Sequence, residues 1–337
     1  MAERRTTIRD IAAAAGVSVA SVSRALRNLP KVSPETRSRV KAIAAEYEYE
    51  LHPQAARLAT GRTWTIGVAA PLFGTWFSSR ALGGINSVFA KAGYDMLIST
   101  MTAPEDRLDF LQGARSFCKR VDGLVLMGTF VSAEGGSADS FFNRPVVTVG
   151  EHLEGAGSIA IDNRLASRRA VDHLIEQGHE RVGLITGPVP PGLPTPEPEQ
   201  RRLGYEDALR EAGLRIDSSL VAHGDGSAGG GARALSTLIA ASNPPTAVFC
   251  MSDEMAFGAL HAAQSAGMAV PGDLSVIGFD DHEMADALGL TTMRQAVTEM
   301  GVKAAELVIA LIDGSEPPSD ITWEVPLVVR STTAPPN

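Results

Sequence analysis

The sequence predicts an α/β protein with parallel sheets, preceded by a small helical domain. From residue 65 onward, short apolar runs rich in β-branched residues alternate with helical stretches, a pattern typical of parallel sheets covered by helices on both faces. Several helical stretches end in a glycine, which easily adopts the left-handed conformation that follows a helix. The first fifty residues instead contain three helix patterns, which predicts a separate helical domain.

The apolar runs define the predicted strands of the α/β part. They lie at 65–70, 94–100, 122–128, 144–150, 181–187, 246–252 and 274–280. Six or seven strands are more than we expect in a single sheet here, so we expect two lobes, each with its own sheet. A proline-rich stretch at 188–198 is expected to be a surface loop.

The helical domain begins with two short helices joined by one tight turn. Thr7 can cap the first helix, and Asp10, three residues later, completes a capping-box pattern. Gly16 is expected to end that helix, and Ser18 to cap the second one. A third helix, beginning at 33–35, completes a small three-helix domain.

The second helix carries residues suited to contact DNA. It is expected to expose Val19, Ala20 and Ser21 in its first turn, followed by Ser23 and Arg24. Small residues allow a helix to enter the major groove, and an arginine can bind the edge of a guanine. The pattern therefore predicts a helix that reads bases in double-stranded DNA.

The charge distribution supports the same interpretation. The whole chain of 337 residues has a net charge of −9, which taken alone argues against a nucleic-acid partner. Residues 1–62, however, hold eleven Lys and Arg against six Asp and Glu, a net charge of +5, and the remainder carries −14. A basic domain on an acidic body is suited to meeting phosphate with the basic part alone.

The cysteine content and the absence of long apolar runs indicate the cellular compartment. Cys118 and Cys250 show no metal-binding or redox spacing, so we expect two buried thiols in a reducing cytoplasm. The N-terminal MAERRTTIRD is not a signal peptide, and no apolar run reaches the roughly 20 residues that span a bilayer. We therefore expect a cytoplasmic protein without a membrane partner.

Catalysis is not indicated by any motif. The chain has no HExxH, no phosphate loop ending in GK[ST], no GxGxxG after a strand and no GxSxG elbow. We expect no enzyme activity, no cofactor and no metal. The main rival function is a sugar-binding module used in transport, which the missing signal peptide and the helical domain argue against.

The chain resembles the lactose/galactose-repressor (LacI/GalR) family of bacterial transcription regulators. The resemblance is carried by TIRDIAAAAGVSVASVSRAL, VSPETRSRV and HPQAARLATGRTWTIGVAAP, and continues in family order from VDGLVLMG to PLVVRSTTAP. It implies a helix-turn-helix headpiece, a hinge helix and a two-lobed, periplasmic-binding-protein-like core with two parallel sheets. The implied bounds are 1–50 for the headpiece, 51–63 for the hinge, 64–337 for the core, about 64–161 and 291–322 for its N-lobe, and about 162–290 and 323–334 for its C-lobe.

The resemblance also implies DNA contacts. Val19 and Ala20 fall at the two base-reading positions, and Arg24 falls on the arginine of the recognition helix. Arg57 and Leu58 fall in the hinge, where the leucine would wedge into a minor-groove step; the alternative for Leu58 is packing against the body. The remaining implied DNA-binding residues, for which helix capping is the alternative or additional role, are Thr7, Ile8, Ser18, Ser21, Ser23, Ser33 and Thr36.

Six positions match effector contacts of the family. They are Trp76, Phe77, Arg201, Ser252, Asp280 and Gln295. A carboxylate and an arginine facing one cleft can bind hydroxyls or a carboxylate through charge-assisted hydrogen bonds. The alternatives are core packing for the aromatic pair and a helix cap for Asp280, and we interpret Asp253 as a structural cap of the helix that follows it.

The resemblance therefore implies a regulator, with repression as the family default. It would bind pseudo-palindromic operator DNA as a homodimer and respond to a small effector bound between the lobes. A sugar or sugar-like compound is the expected effector. Gly226 stands where many sugar-binding members carry an aromatic residue, so a nucleoside or another metabolite remains open.

Overall fold

The computed structural model describes residues 6–26, 30–49, 62–70, 74–101, 104–129, 135–187, 196–315 and 320–337. The chain divides into two compact units, of which the first comprises 1–73, 81–158 and 301–319 and the second 74–80, 159–300 and 320–337. The predicted hinge contacts Arg57 and Leu58 lie outside the described residues, as does most of the predicted proline-rich loop.

The described helices and strands follow one another in an alternating order after a helical start. The helices are α1 (Ile8–Ala15), α2 (Val19–Leu26), α3 (Pro34–Glu46), α4 (Trp76–Ala92), α5 (Pro104–Cys118), α6 (Ala138–Phe141), α7 (Asn163–Glu176), α8 (Pro196–Glu211), α9 (Ala228–Ile239), α10 (Asp253–Ser265), α11 (Glu283–Ala287) and α12 (Val297–Ile312). The strands are β1 (Thr65–Ala70), β2 (Asp95–Thr100), β3 (Gly123–Met127), β4 (Val146–Val149), β5 (Gly157–Ile161), β6 (Val182–Thr186), β7 (Val221–His223), β8 (Ala247–Cys250), β9 (Ser275–Asp280), β10 (Thr291–Arg294), β11 (Ile321–Trp323) and β12 (Leu327–Val328). None of the helices that can be described is long and apolar enough to cross a membrane.

The helical domain is built on a very small core. Ile11, Val22 and Val40, one from each of α1, α2 and α3, are fully buried in one apolar cluster. Burying a side chain of this size contributes roughly 1.5–3 kcal/mol. Each of these three residues therefore supplies a large part of the stability of the domain.

The predicted ends of these helices are confirmed. The Asp10 carboxylate accepts hydrogen bonds from the backbone N–H of Thr7, at 2.8 Å, and from its hydroxyl, at 2.7 Å. Gly16 has a φ of 64°, the left-handed conformation that costs a glycine little. Ser33 precedes α3 and accepts a hydrogen bond from the backbone N–H of Thr36. All of these bonds join residues three positions apart, which is why a sequence pattern could predict them.

The predicted pair of parallel sheets is confirmed. The first sheet has the strand order β11-β5-β4-β3-β1-β2, and β1 pairs in parallel with both β2 and β3. The strands β1, β3 and β4 are almost completely buried, whereas β2 is largely half-exposed or exposed. This difference follows from position, because β2 lies at the edge of the sheet.

The second sheet positions the candidate effector site. Its strand order is β12-β10-β9-β8-β6-β7, with parallel pairing except between β10 and β12. In such sheets, ligands bind beyond the carboxyl ends of the strands. The neighbouring strands β8, β9 and β10 end at one edge, and Ser252, Asp280 and Gln295 lie at or just after those ends.

The seven predicted strands correspond to β1, β2, β3, β4, β6, β8 and β9. The sequence interpretation missed the other five strands in the described ranges, β5, β7, β10, β11 and β12, which contain two to five residues each. Such short segments gain their conformation from pairing with neighbours, so they carry little periodic signal of their own.

Candidate DNA interface and effector site

Ser18 and Ser33, two of the hydroxyl residues predicted to meet DNA, are helix caps in the structure. The Ser18 hydroxyl accepts a hydrogen bond from the backbone N–H of Ser21 at 3.1 Å. The Ser33 hydroxyl accepts one from the N–H of Thr36 at 3.2 Å and donates one to the Thr36 hydroxyl at 2.9 Å. These caps place the hydroxyls at helix N-termini, where unpaired N–H groups and the helix dipole also favour phosphate.

The outer surface of α2 is formed by Ala20, which is exposed, and by Val19, Ser21 and Arg24, which are half-buried. Arg24 makes no hydrogen bond or ion pair with another described residue. Its guanidinium can therefore bind a base or phosphate without first breaking a contact within that part of the chain. The side chain of Val19 also packs against the core cluster of the domain.

Two predicted DNA contacts are wrong for their side chains. Ser23 is only 2% exposed, and its hydroxyl has no hydrogen-bond partner among the described residues. Ile8 is 5% exposed and belongs to the apolar cluster. Both are covered because α1, α2 and α3 pack on one another within this small domain, so the buried face of each helix is wider than a single stripe.

Arg201, on α8, is held by three different groups of the second unit. Its Nε donates a hydrogen bond to Asn163 Oδ1 at 2.8 Å, and its Nη1 donates one to the backbone oxygen of Met251. Its guanidinium carbon lies 3.7 Å from the centre of the Phe279 ring, a cation–π contact. Burial lowers the pKa of Arg201, opposed first by the charge of Asp280. The side chain is thus fixed in orientation before any ligand arrives.

Asp280 ends β9 and is 9% exposed. Its Oδ1 accepts a hydrogen bond from Gln295 Nε2 at 2.6 Å, and its backbone oxygen accepts one from the N–H of Gln295 at 3.1 Å. Burial raises the pKa of Asp280, which the positive charge of Arg201 lowers and the negative charge of Asp253 raises further. Asp280 and Arg201 interact electrostatically, yet they form no ion pair within the described part of the chain.

The loop after Asp280 has an unusual backbone. Asp280 and Asp281 have φ angles of 127° and 56°, in the region that L side chains disfavour. Residues in such conformations typically cost about 1–3 kcal/mol each and persist where surrounding contacts hold them. The alternative of Asp280 as a helix cap is wrong, because His282 is the N-cap of α11.

Asp253 is structural, as predicted, but it is not the cap. The cap of α10 is Ser252, whose hydroxyl accepts a hydrogen bond from the N–H of Met255 at 3.3 Å. Asp253 is fully buried and accepts hydrogen bonds from the N–H of His282, at 2.8 Å, and from the Thr292 hydroxyl, at 2.6 Å. It therefore ties α10 to the loop after β9 and to β10.

Trp76 and Phe77 are not packed in the core, which was the alternative to a ligand-binding role. Trp76 is half-buried, its indole N–H donates a hydrogen bond to Glu283 Oε2, and its ring lies 5.1 Å from the ring of His282. The ring of Phe257 also contacts this histidine, edge-on, with the ring centres 5.2 Å apart. Trp76 is thus brought to the loop after β9, whereas Phe77 is half-buried and makes no comparable ring contact among the described residues.

Sequence reasoning missed several members of this cluster. Asn163, His282 and Glu283 match no motif. Asn163 is the first residue of α7, two positions after the end of β5, and recognising β5 as a strand would have pointed to it. The contacts of His282 and Glu283 depend on the conformation of the loop after β9, for which the sequence gives no signal.

Comparison with known proteins shows the family to which the chain belongs. Residues 7–53 match the family described as bacterial regulatory proteins, lacI family, and residues 171–333 match a periplasmic binding protein-like domain. The chain is 35% identical over 341 residues to the HTH-type transcriptional repressor CytR of Escherichia coli K12, covering 98% of this chain and 97% of that protein.

Two solved structures extend the likeness to three dimensions. The lac repressor dimer bound to operator and the anti-inducer ONPF has a TM-score of 0.79 at 26% identity, covering 98% of this chain and 100% of the other. A complex of the transcriptional regulator CelR with cellobiose has a TM-score of 0.67 at 28% identity, covering 97% and 100%. The chain belongs to the lacI family of bacterial regulatory proteins and is a DNA-binding transcriptional regulator with an effector-binding core.

Proposed function

We propose that Arg201, Asp280 and Gln295 bind the effector through which this regulator changes its affinity for operator DNA. The observation that carries the proposal is the relation between Arg201 and Asp280. Both are positioned by other groups, both experience the charge of the other, and neither is ion-paired with the other among the described residues. A ligand that bridges them satisfies both groups at once.

The chemistry of this pair favours a neutral polyhydroxylated ligand. A hydroxyl can donate to the Asp280 carboxylate while a neighbouring oxygen accepts from the Arg201 guanidinium, and both bonds are charge-assisted. The charges of Arg201 and Asp280 are opposite, so a neutral ligand leaves this pair balanced, whereas a charged ligand would not. The cellobiose in the related CelR structure supports a carbohydrate class. Ser252 and Trp76 complete the proposed site from the same unit.

On the DNA side, we propose that Val19, Ala20 and Arg24 read bases, while the capped N-termini at Ser18 and Ser33 contact phosphates. One short recognition helix supplies few specific contacts, so two headpieces of a homodimer would share a pseudo-palindromic operator. The hinge contacts of Arg57 and Leu58 remain predictions. Because operator DNA lies in the cytoplasm, we also propose a cytoplasmic location. The protein would act there as a repressor and not as an enzyme.

A thermal-shift measurement tests the effector site. The full chain is screened against a panel of sugars, sugar alcohols and nucleosides, since a ligand at 100 times its Kd stabilises the folded state by about 2.7 kcal/mol. A sugar that stabilises the wild type should lose its effect on Asp280→Asn and Arg201→Gln. The matched control is Asp207→Asn, which removes an ion-paired carboxylate elsewhere in the same unit.

The possible outcomes separate the ligand classes. Stabilisation by nucleosides alone would overturn the carbohydrate assignment while keeping the site. Unchanged stabilisation of both variants would overturn the site. DNA binding is tested separately by selecting duplexes from a random-sequence pool, and failure to enrich a pseudo-palindromic site would contradict the operator proposal.

A further inference from the structure

The loop at 280–282 is kept in its disfavoured conformation by side chains that come from distant parts of the second unit. Arg294 Nε donates a hydrogen bond to Asp281 Oδ2 at 2.6 Å, and Arg330 Nη2 donates one to Asp281 Oδ1 at 2.7 Å. The Asp281 carboxylate is thus held from both oxygens. Burial by itself would raise the pKa of Asp281, but the hydrogen bonds from the two arginines lower it below its usual value, which keeps the carboxylate charged.

The two arginines differ in their surroundings. The side chain of Arg294 is 52% exposed, whereas that of Arg330 is 15% exposed. Arg330 also donates from Nη1 to the backbone oxygen of Leu290 at 2.7 Å, next to the start of β10. One guanidinium therefore fastens the loop after β9 to the segment that leads into β10. Loss of a buried charged partner is costlier than loss of an exposed one, so Arg330 is the more important of the two.

Arg330 is itself fixed by the C-terminal segment that carries it. Its backbone N–H donates a hydrogen bond to the Thr291 hydroxyl at 2.9 Å, and the N–H of Ser331 donates one to the Gly289 oxygen at 2.9 Å. The backbone of Arg330 is therefore held in place independently of the loop at 280–282 that its side chain holds.

The position of Asp281 connects its hydrogen bonds with Arg294 and Arg330 to the proposed effector site. Asp281 directly follows Asp280, and Arg294 directly precedes Gln295, which hydrogen-bonds the carboxylate and the backbone oxygen of Asp280. A shift of Asp281 would rotate the adjacent peptide and move the Asp280 carboxylate away from Arg201. We propose that Arg330 is a positioning residue of the effector site, which acts through Asp281 to hold Asp280 in its binding geometry. This inference rests on the proposed effector site.

The first test needs no ligand. Hydrogen exchange is measured on the full chain for the amides of His282 and Gln295, which donate to Asp253 and to the Asp280 backbone oxygen. In Arg330→Gln both amides should exchange about tenfold faster or more, because hydrogen bonds to charged groups contribute about 1.5–3 kcal/mol. Arg330→Lys keeps the charge but not the planar fork and should give a smaller change. The control Arg164→Gln removes an ion pair with Asp207 elsewhere in the unit and should change neither amide.

The second test measures affinity for the sugar that stabilises the wild type in the panel described above. Arg330→Gln should weaken that affinity by about tenfold or more, with Arg330→Lys between it and the wild type. If Arg330 acts through Asp281, then adding Arg330→Gln to Asp281→Asn should produce little further loss. Asp281→Asn also keeps the inference testable if Arg330→Gln does not fold.

Distinct outcomes overturn the inference. Unchanged exchange at His282 and Gln295, or a double variant whose losses simply add, would contradict positioning through Asp281. Faster exchange throughout the second unit would show a general structural role instead. If no compound in the panel binds, the proposed effector chemistry fails, and the exchange measurement alone still decides whether Arg330 holds the loop.

Discussion

The headpiece and the proposed effector site of this regulator are held together in opposite ways. In the headpiece, the caps that Ser18 and Ser33 form join residues three positions apart. In the effector site, Asp280 is bound by a residue 15 positions away, and Arg201 by residues 38 and 50 positions away. The helix caps of the headpiece are thus local products of sequence, whereas the proposed effector site exists only after the second sheet has formed.

The two regions also differ in how much core supports them. The headpiece depends on a small apolar cluster. Three residues of the proposed effector site, Ser252, Asp280 and Gln295, lie at or just after the ends of β8, β9 and β10, whose residues are nearly all buried. A single core substitution should therefore disable the headpiece and leave the effector site intact.

The largest expected effect tests that independence. Ile11→Ala should destabilise the headpiece by about 2–5 kcal/mol, because it removes fully buried apolar volume from a cluster that cannot easily refill it. DNA binding, measured by fluorescence anisotropy, should be lost, while the thermal transition of the rest of the chain remains. The exposed Ala14→Ser is the control and should leave both unchanged. Loss of effector binding in Ile11→Ala would break the comparison.

A second prediction concerns pH and the effector site. Burial raises the pKa of Asp280 in the folded protein, so the folded state binds the proton more tightly than the unfolded state. The associated stability is fully present below the unfolded pKa of about 4 and is lost as the pH rises through the folded value. Ligand-free wild type should therefore lose stability relative to Asp280→Asn when urea unfolding is compared across about pH 4 to 8. A constant difference between the two proteins would contradict the raised pKa.

Arg24→Ala should weaken specific DNA binding by about 1–3 kcal/mol and relax the preference at one operator position. The physical reason is the loss of a guanidinium that makes no hydrogen bond or ion pair with another described residue and is therefore available to a base. Selection from a random duplex pool measures the preference directly. Arg39→Ala, an exposed arginine on α3, is the matched control and should leave the selected sequence unchanged.

The smallest effect separates the two roles assigned to Ser18. Ser18→Ala should cost about 1 kcal/mol of headpiece stability, because it removes the cap of α2. Ser18→Asp and Ser18→Asn can both restore the cap, but only the aspartate adds a negative charge near the phosphates. If Ser18 faces phosphate, the aspartate variant should recover stability and still bind DNA more weakly than the asparagine variant. Equal DNA affinity for these two variants would leave capping as the role of Ser18.

The accuracy of the sequence predictions follows the same division. The helix ends at Thr7 and Gly16 were predicted correctly because their hydrogen bonds are local. The predicted DNA contact of the Ser23 side chain was wrong because its burial depends on how α2 packs between its neighbours. The assignment of the α10 cap to Asp253 was wrong because Ser252 makes that bond. Asp253 instead reaches residues 29 and 39 positions away, which no local pattern indicates.

The sequence by itself determined the three helices of the headpiece, seven of the strands, the pair of sheets and the family. These depend on periodicity, caps and recurrent motifs, which are properties of neighbouring residues. The tertiary structure decided that the half-buried Arg201 and the buried Asp280 form no ion pair with each other among the described residues, that Trp76 contacts His282, and that Arg330 holds Asp281. Those relations join residues that lie far apart in the sequence, on strand ends, helices and the C-terminal segment, and their proximity is a property of the folded chain alone.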